Sequence, residues 1–216
     1  MSELPPMMPM IAEPVARLTG AAGVQKVPHR EIDMFIVKRF ISPDECRGLC
    51  DLIDFDRRPS TIADSNGDPT YRTSETCDLS AANPLVAAVN ARIDDLLGLA
   101  SAYGEPLQGQ HYDVDQTFKA HTDYFEPGGL DYEKHCARAG QRTWTAMAYL
   151  NVPKAGGNTV FGHVKKTVQP EIGKLVVWSS VNRWGVVNPW TMHEARPIRA
   201  GEKYVITKWY RERHWA

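Results

Sequence analysis

The stretch HEARPIRAGEKYVITKWY, residues 193–210, decides the fold class. His193 to Ile198 and Lys203 to Tyr210 read as two short strands, and Gly201 between them marks the turn. The same texture recurs upstream, at Lys174–Ser179, Thr159–Val164, Trp144–Val152 and Leu107–Tyr112, with turn residues at Pro153–Gly157 and Gly185–Pro189. Before Gly104 the period changes. Ser42-Pro43-Asp44-Glu45 supplies an N-cap, a proline at the first helical position and acids in the first turn. Cys46, Leu49, Cys50 and Ile53 then fall at i, i+3, i+4 and i+7, which predicts a helix from Pro43 to Phe55 with one buried stripe. Residues 57–68 read as a loop, and Asn83-Pro84 opens a second helix running to Leu97. Helices first and strands after predict an α+β protein whose strands close a sandwich or barrel, with the helices packed on one face.

The 216 residues suit one domain plus a tail. Apolar residues at 43% and charged residues at 24% are those of a globular chain. Twenty-five basic against 26 acidic side chains leave a net charge of -1, so the bulk electrostatic drive toward nucleic acid is absent. Apolar runs such as Leu175–Trp178 fall far short of the ~20 residues a membrane span needs, so no membrane partner is expected. The opening MSELPPMMPMIAEP has neither a basic n-region nor an apolar h-region. Cys46, Cys50, Cys77 and Cys136 are too sparse for a disulfide scaffold and read as buried structural thiols, so the expected location is cytoplasmic. Residues 1–28 hold five prolines and four methionines and read as an extended arm dispensable for chemistry, leaving 29–216 as the working domain.

The chemistry starts from His121-Thr122-Asp123. In an extended chain, residues two apart share a face, so one imidazole and one carboxylate can meet one ion. His193, on a later strand, completes two histidines and a carboxylate if the two strands pair, a donor set with open positions that suits non-haem Fe(II). A His-x-Asp triplet alone is equally a polar surface turn. Its setting is richer: Lys203 follows His193 by ten residues, where a fixed cation could grip the far carboxylate of a dicarboxylic cosubstrate, and Tyr112 precedes His121 by nine.

Together with Phe40–Cys46, Arg72-Thr73-Ser74, Tyr112–Gln116, Tyr149-Leu150-Asn151, Gly156–Phe161 and Lys203–Trp209, these motifs resemble the prolyl 4-hydroxylase family of Fe(II)- and 2-oxoglutarate-dependent dioxygenases, over residues 32–213. The resemblance implies a double-stranded β-helix, a jelly-roll barrel, with iron held by His121, Asp123 and His193. It implies Lys203 on the C5 carboxylate of 2-oxoglutarate, helped by hydroxyls at Tyr112 and Thr159, and Arg142 and Trp209 near the substrate. Dioxygen is then the second cosubstrate, ascorbate an optional reductant, and succinate and CO2 the coproducts. The partner implied is a proline-containing peptide or protein, with the quaternary state open between monomer and homodimer. A free amino acid substrate, a non-catalytic metal or 2-oxoglutarate sensor, and zinc hydrolysis are the alternatives; the last leaves Lys203 without a purpose. Asp115, Ala120 and Tyr204 stand where many members have glycine, proline and tryptophan. The segment from Pro127 to Gly140 matches a variable loop suited to substrate preference, and the other five histidines carry no ligand role.

Overall fold

The structure, a computed structural model, describes residues 8–61, 68, 70–129 and 132–215. In chain order these form α1 (Pro9–Gly20), β1 (Val24–Lys26), β2 (Met34–Val37), α2 (Pro43–Asp56), β3 (Arg58–Pro59), β4 (Glu75–Asp78) and α3 (Pro84–Leu97). Then come β5 (Gln108–Tyr112), β6 (Phe118–His121), α4 (Tyr132–Cys136), β7 (Arg142–Tyr149), β8 (Ala155–Gly156), β9 (Thr159–Phe161) and β10 (Lys166–Val168). The chain closes with β11 (Leu175–Ser179), β12 (His193–Ala195), β13 (Ile198–Ala200) and β14 (Lys203–Arg211). Of the loop expected at 57–68, residues 62–67 lie outside the described residues.

An eight-stranded sheet, ordered β1-β2-β11-β7-β14-β5-β4-β3, faces a four-stranded sheet, ordered β10-β9-β12-β6, and β13 pairs with β8. Period-two alternation gives the large sheet two different faces. Met34, Met147, Val176, Trp178 and Val205 point between the sheets with Phe161 and Ile198. Phe35, Ala146, Val177, Ile206 and Tyr210 point the other way, into a second core shared with the helices. The segment expected as one strand from His193 to Ile198 splits into β12 and β13. Pro197, with no N–H to give a ladder, sits at the break, and its carbonyl accepts from Gly157 N instead.

The helices begin and end where their caps require. Ser42 Oγ accepts from Glu45 N at 3.3 Å while Glu45 Oε2 accepts from Ser42 N at 2.9 Å, a reciprocal capping box at the head of α2. Asn83 caps α3, which stops at Gly98 in a left-handed conformation (φ 69°). A buried polar knot mounts α3 on the sheet: Lys208 Nζ donates to Asn90 Oδ1 at 2.6 Å and to Asp94, and Tyr210 OH donates to Asp94 Oδ1 at 2.5 Å.

Residues 9–20, expected as part of an extended arm, instead form α1. Ile11, Pro14, Val15 and Leu18 recur at i, i+3, i+4 and i+7, and Ile11 and Leu18 are buried in the helical core. Pro9 starts the helix, where its missing N–H costs nothing. Pro14, inside it, leaves the Met10 carbonyl without its helical donor, and the Trp144 indole Nε1 donates to that oxygen at 3.0 Å. Tertiary structure thus supplies the bond that the proline removes. Among the described residues no helix is long and apolar enough to cross a membrane, and all four cysteines are free thiols.

Candidate active site

His121 is the last residue of β6 and His193 the first of β12, and the antiparallel pairing sets them directly opposite each other. Asp123 lies two residues past the end of β6, in a bend rather than on the strand. The chain nonetheless folds back so that one ligand atom from each of His121, Asp123 and His193 lies within 4.8 Å of the other two. Each imidazole is oriented by the backbone: His121 Nδ1 donates to Lys119 O at 2.7 Å, and His193 Nδ1 to Thr191 O at 2.9 Å. A carbonyl only accepts, so both Nδ1 atoms carry the proton and both Nε2 lone pairs are left for an ion. Burial, with His193 alongside, pushes His121 down to about 3, so it is neutral at ordinary pH. Burial works to raise the Asp123 carboxyl, but His193, His121, Arg142 and the Thr145 hydroxyl outweigh it and hold it ionised. Two imidazoles, each with its Nε2 free, and one carboxylate with open positions are the donor chemistry of non-haem Fe(II).

A cavity between the sheets runs from this cluster to Lys203. Lys203, Val205, Thr207 and Trp209 alternate along β14 and all line it. Lys203 is 1% exposed, and its Nζ donates to Gly157 O at 3.3 Å and lies 4.2 Å from the Tyr112 ring centroid. No carboxylate pairs with it among the described residues, and burial pushes it down to about 7. A buried ammonium without an anion is a cradle for one. Two more buried donors in the cavity wall, the indole N–H groups of Trp178 and Trp209, also find no acceptor among the described residues. The cavity therefore fits a ligand that brings oxygens and negative charge.

The other expected residues divide. Thr159 lines the cavity, and its Oγ1 accepts from Tyr149 OH at 2.6 Å, leaving its own proton to give. Tyr112 lines it too, but its hydroxyl donates to Gln110 Oε1 at 2.9 Å, and Gln110 in turn donates to Thr207 Oγ1 at 3.2 Å. Arg142 stands behind the wall: its guanidinium lies 4.0 Å from the Trp209 ring centroid and clasps Glu105 twice, at 2.6 and 2.7 Å. Glu105 also accepts from Arg211 Nη1 at 3.0 Å. Burial would lower Arg142, but Glu105 overrides it and raises it.

Sequence reasoning gave no site role to Gln110, Thr145, Tyr149, Phe161 or Trp178, although Tyr149 and Phe161 stand in its motifs. Phe118 stacks on His121 at 3.5 Å and Phe161 on His193 at 5.0 Å, so apolar rings shield both ligands from water. A polar side chain at an inward position of an apolar strand, as at Thr145 and Gln110, was the legible signal. His111, given no ligand role, lies on the opposite face of β5 between Glu75 Oε2 at 3.1 Å and Glu202 Oε2 at 3.2 Å.

Residues 107–211 match the family model of the 2OG-Fe(II) oxygenase superfamily. Over these residues the chain carries a 2OG-Fe(II) oxygenase domain. Fe(II), 2-oxoglutarate and dioxygen are the metal and cosubstrates of that superfamily, and the donor triad and the unpaired ammonium match them. Human prolyl 4-hydroxylase subunit alpha-1 is 36% identical over 144 residues, 66% of this chain and 27% of that one, so the match spans about a quarter of the human protein. The 2-oxoglutarate complex of a viral collagen prolyl hydroxylase from Paramecium Bursaria Chlorella virus-1 superposes with a TM-score of 0.66 at 21% identity, over 84% of this chain and 96% of that one. A Trichoplax adhaerens prolyl hydroxylase bound to a hypoxia inducible factor peptide superposes with a TM-score of 0.60 at 17% identity, over 93% and 88%. The shared fold is the double-stranded β-helix that oxygenase domains of this superfamily adopt.

Proposed function

We propose that this oxygenase domain hydroxylates a prolyl residue in a peptide or protein, converting 2-oxoglutarate and dioxygen to succinate and CO2. The observation that carries the reading is the inner face of β14, which aligns a buried unpaired ammonium at Lys203 with an aromatic wall at Trp209, beside His121, Asp123 and His193. The prolyl hydroxylases among its relatives supply the substrate class.

Bound iron and 2-oxoglutarate supply the oxidising chemistry, one oxygen atom of O2 going to succinate and the other to the substrate C–H bond. The chain itself binds and orients. His121, Asp123 and His193 hold the metal, with both Nε2 atoms presented by the backbone bonds at Nδ1. Lys203 takes the far carboxylate of 2-oxoglutarate, and the Thr159 hydroxyl, already accepting from Tyr149, has a proton to add to it. The Tyr112 ring lies against the ammonium and closes the cavity there. Trp209 forms one wall of the substrate groove, and Arg142, clamped by Glu105, holds that indole in place. Phe118, Phe161 and Trp178 keep water from the reacting centre. The catalytic unit is residues 29–216, braced by the residues before it, and the four free thiols accord with a reducing cytosol.

The test is incubation with Fe(II), 2-oxoglutarate and proline-rich peptides under air. The expected result is a peptide mass gain of one oxygen, matched by succinate and lost in a chelator or without the keto acid. Succinate without peptide oxidation, but with oxidation of a free amino acid, would transfer the function to the small-molecule reading. An Asp123→Ala variant that still hydroxylates refutes the site.

A further inference from the structure

Of the three metal-facing side chains, Asp123 has the least support from its own strand. His121 and His193 are placed by paired strands, whereas Asp123 sits in the bend beyond β6. Its carboxylate is instead held from the opposite sheet, where Thr145 Oγ1 donates to Asp123 Oδ2 at 2.7 Å. That same oxygen is 4.0 Å from His193 Nε2, so it faces the centre of the cluster. Thr145 is fully buried on the inner face of β7 and lines the cavity.

The surroundings leave its hydroxyl no other choice. In the sheet register Thr145 lies between Trp178 on β11 and Trp209 on β14. An indole nitrogen donates and cannot accept, so neither neighbour can take the threonine proton. The carboxylate of Asp123 is the acceptor the structure gives it. A threonine is also stiff at χ1, which turns the hydroxyl into a fixed point rather than a rotor.

We infer that Thr145 is a positioning residue of the metal site, its hydroxyl fixing the Asp123 carboxylate in the orientation that grips a divalent cation. The inference rests on the iron-site reading above and adds a residue on a different strand to it. Outer partners that orient a ligating group typically contribute ten- to a hundredfold in metal affinity.

The test uses the full chain stripped of metal, titrated with Mn(II) alone while free Mn(II) is followed by electron paramagnetic resonance. Thr145→Val keeps the branched shape and deletes the hydroxyl; Thr145→Ser keeps the hydroxyl. The valine variant should bind Mn(II) about ten- to a hundredfold more weakly, with the serine variant within a few-fold of wild type. Far-ultraviolet circular dichroism of the metal-free proteins checks folding, and Thr145→Ala, which only removes atoms, replaces valine if that variant does not fold. Wild-type affinity in the valine or alanine variant overturns the inference, as does a serine variant as weak as valine, since shape and not the hydroxyl would then be responsible. A wild-type protein that binds no Mn(II) refutes the metal-site reading, and this inference with it; binding that is indifferent to Thr145 refutes this inference alone.

Discussion

Lys203→Met should make the metal-free, cosubstrate-free enzyme more stable while ruining its affinity for 2-oxoglutarate. The ammonium is 1% exposed, lacks a carboxylate partner among the described residues, and is pushed by burial from 10.5 to about 7. At about 1.4 kcal/mol per pKa unit, that drop caps the cost of burying the charge at about 5 kcal/mol; relaxation of the surroundings leaves ~2 kcal/mol as the working figure. The sign follows from proton counting. The folded pKa lies below the unfolded one, so between pH 7 and 10.5 the unfolded chain holds more protons, and stability rises with pH across that window. Below pH 7 the penalty is present in full. At ~2–4 °C per kcal/mol for a chain of this size, the methionine variant should melt about 4–8 °C above wild type at pH 6.5, and the gap should shrink by pH 9.5. Differential scanning calorimetry at the two pH values measures it; groups that titrate in both proteins cancel in the difference. Removing one partner of a buried ion pair costs ~3–5 kcal/mol, so calorimetric titration should show 2-oxoglutarate binding weakened a hundredfold or more. A variant that melts at or below wild type at pH 6.5, or a gap unchanged by pH, would refute the reasoning.

Wild-type affinity for 2-oxoglutarate should itself fall as pH rises above about 7, with proton uptake on binding at pH 8, because the anion needs Lys203 charged; equal binding heats in buffers of different ionisation enthalpy would contradict this. Glu105→Gln strands the buried guanidinium of Arg211 and the part-buried one of Arg142, and should cost ~3–5 kcal/mol in urea unfolding. Trp209→Ala should raise the apparent KM for peptide and leave that for 2-oxoglutarate near wild type; the reverse pattern would displace Trp209 from the substrate groove. Deleting residues 1–20 removes Ile11 and Leu18 from the helical core and should lower stability by a few kcal/mol, while turnover per folded molecule persists.

Much of this was legible in the sequence where a regular period governs. Lys203 and Trp209, six residues apart on a strand, share one face by alternation, and both line the cavity. The donor set was conditional on the strands bearing His121 and His193 pairing, and they do pair, with the two histidines opposite each other. Asp123 meets them, but through a bend rather than through the alternation that suggested it. α1 escaped because the proline- and methionine-rich composition of residues 1–28 reads as an extended arm; Pro9 is harmless at a helix start, and the bond lost at Pro14 is replaced by Trp144, 130 residues away, which no local window contains. Arg142 too is placed by a partner that no local window contains. Its motif position pointed at substrate, and Glu105, just before β5, draws the guanidinium behind Trp209.

The two faces of β14 also set where this protein is free to change. Because side chains alternate, a one-residue insertion between Lys203 and Trp209 would put the ammonium and the indole on opposite faces: with Lys203 kept in the cavity, the indole turns toward the helices and Lys208 and Tyr210 enter in its place. The length of this segment is thus frozen, however tolerant its individual positions are. Substitution is a different matter: Tyr204, Ile206, Lys208 and Tyr210 face away from the cavity, so an engineer can harden the mount of α2 and α3 there without altering a residue the ligand meets. Durability and specificity can therefore be tuned on the same strand in separate rounds.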